Sequence, residues 1–323
     1  MLEYRITEDH VGVRLDKFLK KKLDAVPPSH LFKMIRLKKI RVNGKRAQPE
    51  QALALGDHIT VRGDASRLES AVAPTTPANE VDTSQLKVLF EDDWLMVIDK
   101  PSGMAVHPGS GIRTGTVVDI VRAYLGPAAV RNDFAASPAH RIDRETSGVL
   151  IVAKRRPAMV HFTDVFTHGK AKKRYLALAK GRMPKPSGLI DLPLAEHQQS
   201  GESKARRGIN LQEARTRYRV LEQGGSAVLL SCILETGRTH QIRRHLASVG
   251  HPLAGDSKHG DFAFNRDVKA RWKLGRLFLH AVRIEFPHPK DGQTIVAQAP
   301  LAPELVDVLK AAGLNPASAL ISP

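Results

Sequence analysis

The chain has a single cysteine, Cys232, in 323 residues. A lone cysteine forms no internal disulfide, which excludes a disulfide-stapled scaffold and fits a reducing cytoplasm. Set among apolar neighbours, it reads as a core residue. Aromatic residues are also scarce, with four tyrosines and two tryptophans, so each tyrosine in a charged setting draws notice. Long apolar runs are missing. The longest, GVLIVA and AVLLSCILE, fall well short of the roughly 20 residues that cross a bilayer, and no membrane partner is expected. The N-terminus, MLEYRITEDHVG, lacks the apolar core of an export signal, and a cytoplasmic location is expected. There is no H-E-x-x-H and no cysteine pair, and His240 and His245 share no helix face. Phosphate-loop, dinucleotide and serine-elbow signatures are absent too. No metal and no small-molecule cofactor is expected.

Acidic charge is the other shortage. Lys and Arg number 50 against 33 Asp and Glu, a net charge of +17. A field of that sign attracts polyanions, and nucleic acid is the expected partner. At 323 residues with 42% apolar composition, the chain is long enough for two domains and a sizeable core.

Residues 1–62 read as one small unit. Leu15, Phe18, Leu19 and Leu23 recur at helical spacing among lysines. Pro27-Pro28 breaks that helix, and Ser29 is a suitable N-cap for a second one. IRVNGKRA predicts a hairpin around Asn-Gly, and HITV a closing strand. Residues 63–84 are rich in small residues, Ser, Thr and Pro, and read as a flexible linker. Residues 85–323 hold many strand patterns separated by Gly and Pro turns, with helical stretches in TVVDIVRAYLG, MVHFTDVFTHG, HQIRRHLASVG and PELVDVLKAAG. The strands do not alternate regularly with helices. The expected fold class is α+β, a large mixed or antiparallel β-sheet domain with flanking helices and a small N-terminal module.

Three charged patches lie in the larger domain. HRIDRETSGVLIVAK sets Asp143 between Arg141 and Arg144, ahead of an apolar strand. KKRYLALAKG puts Tyr175 behind Lys172, Lys173 and Arg174, where its ring is placed to meet a nucleobase. ETGRTHQIRRH carries Arg238, Arg243 and Arg244. An arginine reaching Asp143 would hold that carboxylate ionised and fixed in direction. The plain alternatives are an ordinary ion pair, a core tyrosine and surface charge. The Gly-rich HPGSGIRTG precedes a helix and reads as a flexible loop, with Arg113 near a nucleic-acid backbone.

The N-terminal pattern RLDKFLKKKL…SHLFKMIRLKKIRVNGKRA…LALGDHITV resembles the small α-L RNA-binding module of the S-four-like type, departing from it at KKI. The resemblance implies RNA contacts from Arg14, Lys33, Arg36, Lys38, Lys39, Arg41 and Lys45. HRIDRETSG, KKRYLAL and ETGRTHQIRRHLASVGHPLAGD, in that order, resemble the three signature segments of the RluA family of RNA pseudouridine synthases, with Ile142 where the family has Leu. GDSKHGDFAFN and the N-terminal module are most like the RluC subgroup, which modifies large-subunit ribosomal RNA; HPGSG is also seen in the RluD subgroup. The resemblance implies Asp143 as catalytic carboxylate, attacking the ribose, adding to the base or abstracting a ribose proton. It implies Arg141 filling the gap left by a flipped uridine, Tyr175 stacking on the uracil, and Arg243 pairing with Asp143. Lys172, Lys173, Arg174, Arg206 and Arg207 are candidate phosphate contacts. The reaction needs no metal, redox partner or net water. A monomer acting on large-subunit ribosomal RNA or its precursor is expected. The rival readings are a non-catalytic RNA-binding protein, a nucleoside-bond hydrolase and a transfer-RNA synthase of the same family.

Overall fold

The computed structural model describes residues 1–23, 26–63, 81–109, 112, 114–131, 134–196 and 211–320. Arg113, Arg206, Arg207 and most of the expected linker lie outside them.

The N-terminal unit contains β1 (Leu2–Arg5), α1 (Leu15–Lys22), α2 (Pro28–Arg36), β2 (Ile40–Val42), β3 (Lys45–Arg46) and β4 (His58–Val61). Its sheet runs β1-β4-β2-β3. Leu15, Phe18 and Leu19 of α1 and Leu31, Met34 and Ile35 of α2 close over Ile40, Val42, Ile59 and Val61, a core of its own. The Asn-Gly hairpin forms as its residues require, with Asn43 at φ 51° and Gly44 at φ 72°. Ser29 is not the N-cap. Pro27 holds that place and Pro28 is the first helical residue, because proline's fixed φ suits the first turn and its missing N–H costs nothing there. Within KKI, Lys38 adopts a left-handed φ of 57°.

The remaining strands are β5 (Lys87–Glu91), β6 (Leu95–Lys100), β7 (Val130–Arg131), β8 (Phe134–Ala135), β9 (Ser137–Pro138), β10 (Ser147–Ala153), β11 (Lys172–Lys180), β12 (Ser187–Asp191), β13 (Leu194–Ala195), β14 (Leu211–Gln212), β15 (Arg215–Gly224), β16 (Ala227–Leu234), β17 (Leu279–Pro287) and β18 (Thr294–Gln298). The helices are α3 (Val117–Leu125), α4 (Arg156–Thr167), α5 (Gln241–Ser248), α6 (Phe262–Trp272) and α7 (Pro303–Ala311). The long path of the large sheet is β12-β15-β16-β11-β17-β10-β6-β5, with β18 on β17 and β9 on β10. It is mixed, since β10 and β17 run parallel while β11 is antiparallel to both β16 and β17.

Strand alternation divides the core between the two faces. Tyr175, Ala177 and Ala179 of β11 face one side, with Phe162 and Val165 of α4 and Ile242 and Leu246 of α5. Leu176 and Leu178 face the other, with Phe264, Val268 and Trp272 of α6 and Leu305 and Leu309 of α7. Helix α6 was not anticipated from the sequence, although Asp261 caps it through the Phe264 N–H at 2.8 Å and its apolar residues recur every four. The Thr-Ser-Gly turn after Asp143 has a strict requirement. A Cβ on Gly148, at φ 111°, would stand 2.2 Å from the Ala281 carbonyl oxygen, so only glycine lets β10 approach β17 there.

Candidate active site

A cleft of about 820 Å³ opens where three segments meet. They are the loop 139–146 before β10, the start of β11, and the stretch 233–243 from the end of β16 into α5. Arg141, Asp143, Tyr175, Arg238 and Arg243 all line it, so the three charged patches converge although a hundred residues separate the first from the last.

The Asp143 loop is clasped by the loop after β6. Lys100, with no exposed surface, donates to the carbonyls of Pro101 at 2.8 Å, Met104 at 2.9 Å and Arg144 at 3.0 Å. Three acceptors use all three ammonium protons. Burial nonetheless lowers the Lys100 pKa to about 7, against the pull of Glu145 and Asp143. The Ser102 hydroxyl donates to the Glu145 carbonyl at 2.7 Å. The Arg144 Nε donates to the Gly103 carbonyl at 2.8 Å, so this neighbour of Asp143 is turned to the clasp. His140 is a clamp rather than a reacting group. Its Nε2 accepts the Ile151 N–H at 3.1 Å, and burial followed by Lys173 pushes its pKa to about 3.

Helix α5 aims the decisive arginine. The Gln241 side chain donates to the Arg215 carbonyl and the Thr216 hydroxyl, and accepts from Thr236 and the Arg238 N–H. His245, fully buried, bridges Thr216 and the Leu192 carbonyl. Arg243 is thereby fixed between two acids. Its Nη1 stands 3.5 Å from Asp143 Oδ2, while Nε and Nη2 each donate to one oxygen of Asp256 at 2.8 Å. That fork-on-fork pairing is the strong form of the interaction. Arg238 and Arg244 turn elsewhere, to the carbonyls of Glu213 and Ala195.

Asp256, which holds Arg243 from behind, is a residue that sequence reasoning missed. It is 1% exposed and also accepts the backbone N–H groups of Lys258 and His259, both at 2.9 Å. Burial works to raise its pKa, but the Arg243 and backbone hydrogen bonds outweigh it and hold the carboxyl at about 2. Its signal was the Gly-Asp closing HPLAGD: a Cβ on Gly255, at φ 75°, would lie 2.0 Å from the Arg276 carbonyl oxygen. His240 was missed as well. It caps α5 at φ 54°, places Nε2 4.0 Å from Asp143 Oδ2, and meets His259 Nε2 through Nδ1 at 2.9 Å.

The electrostatics of Asp143 differ from the sequence expectation. Burial is the largest influence and raises its pKa above the ordinary carboxylate value, while Arg243 and then Arg141 pull it back. Tyr175, 6% exposed, has its phenol raised by burial and then by Asp143. Register explains why it reaches the cleft. Tyr175 opposes Cys232 on β16 and Ala281 on β17, and strand alternation puts it on the face of Ala177 and Ala179; the bulge beside it lies on β17, where Val282 is the extra residue between the partners of Arg174 and Tyr175. Of the three preceding cations, Lys173 lies 5.2 Å above the Phe166 ring in the cleft, whereas Arg174 belongs to the opposite face. Arg141 is exposed on the rim.

In the N-terminal unit Lys33, Arg36, Lys38, Lys39 and Lys45 are exposed and Arg41 is half-buried, its Nη1 donating to the Gly44 carbonyl at 3.2 Å. Arg14 is engaged by Asp16 through two hydrogen bonds. The Gly-rich segment precedes α3, whose first turn is closed by its own capping box, Thr116 with Asp119. Among the described residues no group of three or more His, Cys, Asp or Glu is placed to hold a metal, and no helix is long and apolar enough to cross a membrane.

Residues 94–248 match the family model of RNA pseudouridylate synthases, and residues 13–59 match that of the S4 domain. The chain is 37% identical to the ribosomal large subunit pseudouridine synthase C of Vibrio parahaemolyticus over 305 residues, covering 94% of each protein. It is 39% identical to the Escherichia coli K12 protein of the same name over 300 residues, covering 92% of each. Among solved structures, human RNA pseudouridylate synthase domain containing 4 superimposes with a TM-score of 0.57 at 25% identity, over 70% of this chain and 93% of that one. With a cleft built from the three signature segments and relatives this similar over nearly their whole length, the chain belongs to the RNA pseudouridylate synthase family and is an isomerase that carries an N-terminal S4 domain.

Proposed function

We propose that this protein converts specific uridines to pseudouridine in large-subunit ribosomal RNA, with Asp143 as the catalytic residue. The observation that carries the assignment is the chain Asp143–Arg243–Asp256. One carboxylate is offered to the cleft, and a guanidinium locked from behind by a second carboxylate directs it. The reaction breaks the bond between uracil nitrogen one and ribose, turns the base, joins carbon five to the same ribose carbon, and gives up the carbon-five proton while the freed nitrogen takes one up. Atoms balance with no cofactor, and one acid suffices where a glycoside hydrolase uses two. A carboxylate raised by burial is more basic and more nucleophilic in its ionised form than a solvated one.

The other cleft residues take consistent roles. A uridine inside folded RNA must leave its stack before it can react. Arg141, exposed on the rim, fills the space left behind. Tyr175, directed into the cleft by the alternation of β11, stacks on the uracil and takes part in the closing proton removal. We assign residues 1–62 as the RNA-binding module, with Lys33, Arg36, Lys38, Lys39 and Lys45 tracking phosphates and Arg14 and Arg41 at its margins. Residues 63–84 are the linker and 85–323 the catalytic domain. The protein works as a cytoplasmic monomer. The large-subunit substrate rests on the names of the relatives, which match along both domains.

The test is release of tritium from ribosomal RNA labelled at carbon five of uridine, followed by mapping of the product. Release from large-subunit RNA, with an intact strand at the modified position, is expected. Release from transfer RNA alone would redirect the substrate, an abasic product would indicate a hydrolase, and no release with retained binding would leave a non-catalytic RNA-binding protein.

A further inference from the structure

The face of the sheet opposite the cleft carries a feature the reaction does not use. In the strand registers, Arg217 of β15 opposes Ile233 of β16, Ile233 opposes Arg174 of β11, Arg174 opposes Arg283 of β17, and Arg283 opposes Gln298 of β18. Residues paired directly across strands share a face. The alternate row, Tyr218–Cys232–Tyr175–Ala281, belongs to the cleft side, so this row lies behind it. Arg219 opposes Ser231 one step away. These residues line a second cavity of about 600 Å³. From Arg217 to Arg283 the row covers three inter-strand steps, about 14 Å.

Like charges directly opposite on neighbouring strands are destabilising, yet Arg174 faces Arg283. Glu235 pairs with Arg217, and Glu285 with Arg283 at 3.0 Å. Four guanidiniums in one concavity, planar and forked, suit phosphate oxygens. The row crosses the same strands that deliver Tyr175, on the opposite face, so it is available to a part of a large RNA that does not enter the cleft.

We propose that this arginine row is a second RNA-backbone site, which holds phosphates of the substrate distant from the target uridine. It rests on the functional reading above and deepens it, by distinguishing large from minimal substrates. The chemistry is recognition of the sugar–phosphate chain, without base readout.

The test compares wild type with the triple variant R217Q/R219Q/R283Q on two RNAs, a long large-subunit transcript and a short hairpin containing one target uridine, across a salt series. For the long RNA the triple variant should lose about tenfold in affinity and about two units of salt slope, since each phosphate contact contributes about 0.7–0.9. Turnover of the hairpin should be unchanged, which also reports an intact fold. Unchanged affinity and slope on the long RNA would overturn the inference, as would an equal loss on both RNAs. Glu285→Gln, which removes the carboxylate beside Arg283, should tighten binding of the long RNA; unaltered or weaker binding would count against the site. A wild type that isomerises uridine while the triple variant binds normally defeats this inference alone. A wild type that isomerises none takes the functional reading with it.

Discussion

The N-terminal unit and the cleft handle charge in opposite ways. In the N-terminal unit Lys33, Arg36, Lys38, Lys39 and Lys45 are all exposed. Behind the cleft the charges are interior: Lys100 is 0%, Asp256 1% and Arg243 5% exposed, and each is bound on several sides. Exposed cations act additively, at distance, and are screened by salt. Buried ones are costly to strand and hold a direction. In the proposed function the first arrangement brings RNA to the protein, and the second points one carboxylate at one atom.

This contrast is sharpened most by breaking the interior chain at its middle. Arg243→Lys keeps a charge but loses the fork. Charge-assisted hydrogen bonds are worth about 1.5–3 kcal/mol, so turnover should fall by about 10- to 150-fold, with RNA affinity within about twofold. The pH profile gives a second reading. Asp143 must be ionised, and its pKa is already raised by burial. Activity should therefore fall as pH drops through a value above that of a free carboxylate. Arg243→Gln, which removes the strongest opposing pull, should move that limb higher still; an unmoved limb would mean Arg243 does not govern the Asp143 charge.

Next in size is acid stability. Asp256 titrates at about 2 in the folded protein against 3.8 for the free group. Its folded pKa is depressed, so its contribution is fully present above the unfolded value and is lost as pH falls through the window from about 4 to about 2. The loss should be on the order of 2 kcal/mol, read as a drop in melting temperature over that window. Asp256→Asn should show a flatter dependence there and a lower melting temperature at neutral pH, because the Arg243 charge then lacks its partner. The smallest effect belongs to the exposed region. The combined variant K33Q/R36Q/K39Q should weaken RNA binding by several-fold and reduce the salt slope, each lost contact counting about 0.7–0.9, with turnover at saturating RNA unaltered. A change in that turnover would erase the division of labour.

What could be read from the chain follows the same line. The two-part organisation, the Asn-Gly hairpin, the strand after Asp143 and the convergence of Asp143, Tyr175 and Arg243 all come from local patterns or from ordered signature segments. Asp256 and Lys100 did not stand out, because Arg243 and the Arg144 carbonyl, which hold them, lie elsewhere in the chain, and the side-chain charges beside them, those of Lys258 and Asp99, are not those partners. Sequence neighbours also misled. Arg144, adjacent to Asp143, turns to Gly103, and the cation that reaches Asp143 lies a hundred residues further on. The alternation of β11 was legible in KKRYL, yet its consequence, that Arg174 faces away from Tyr175, emerges only once β16 and β17 fix the register.

The account stands on Asp143 as the group that does the chemistry. The most direct test is single-turnover tritium release from carbon-five-labelled large-subunit RNA by Asp143→Asn, alongside its RNA affinity. The prediction is a fall of about 10⁴-fold or more in the release rate, with affinity within about twofold of wild type. Release at a rate near that of wild type would contradict it.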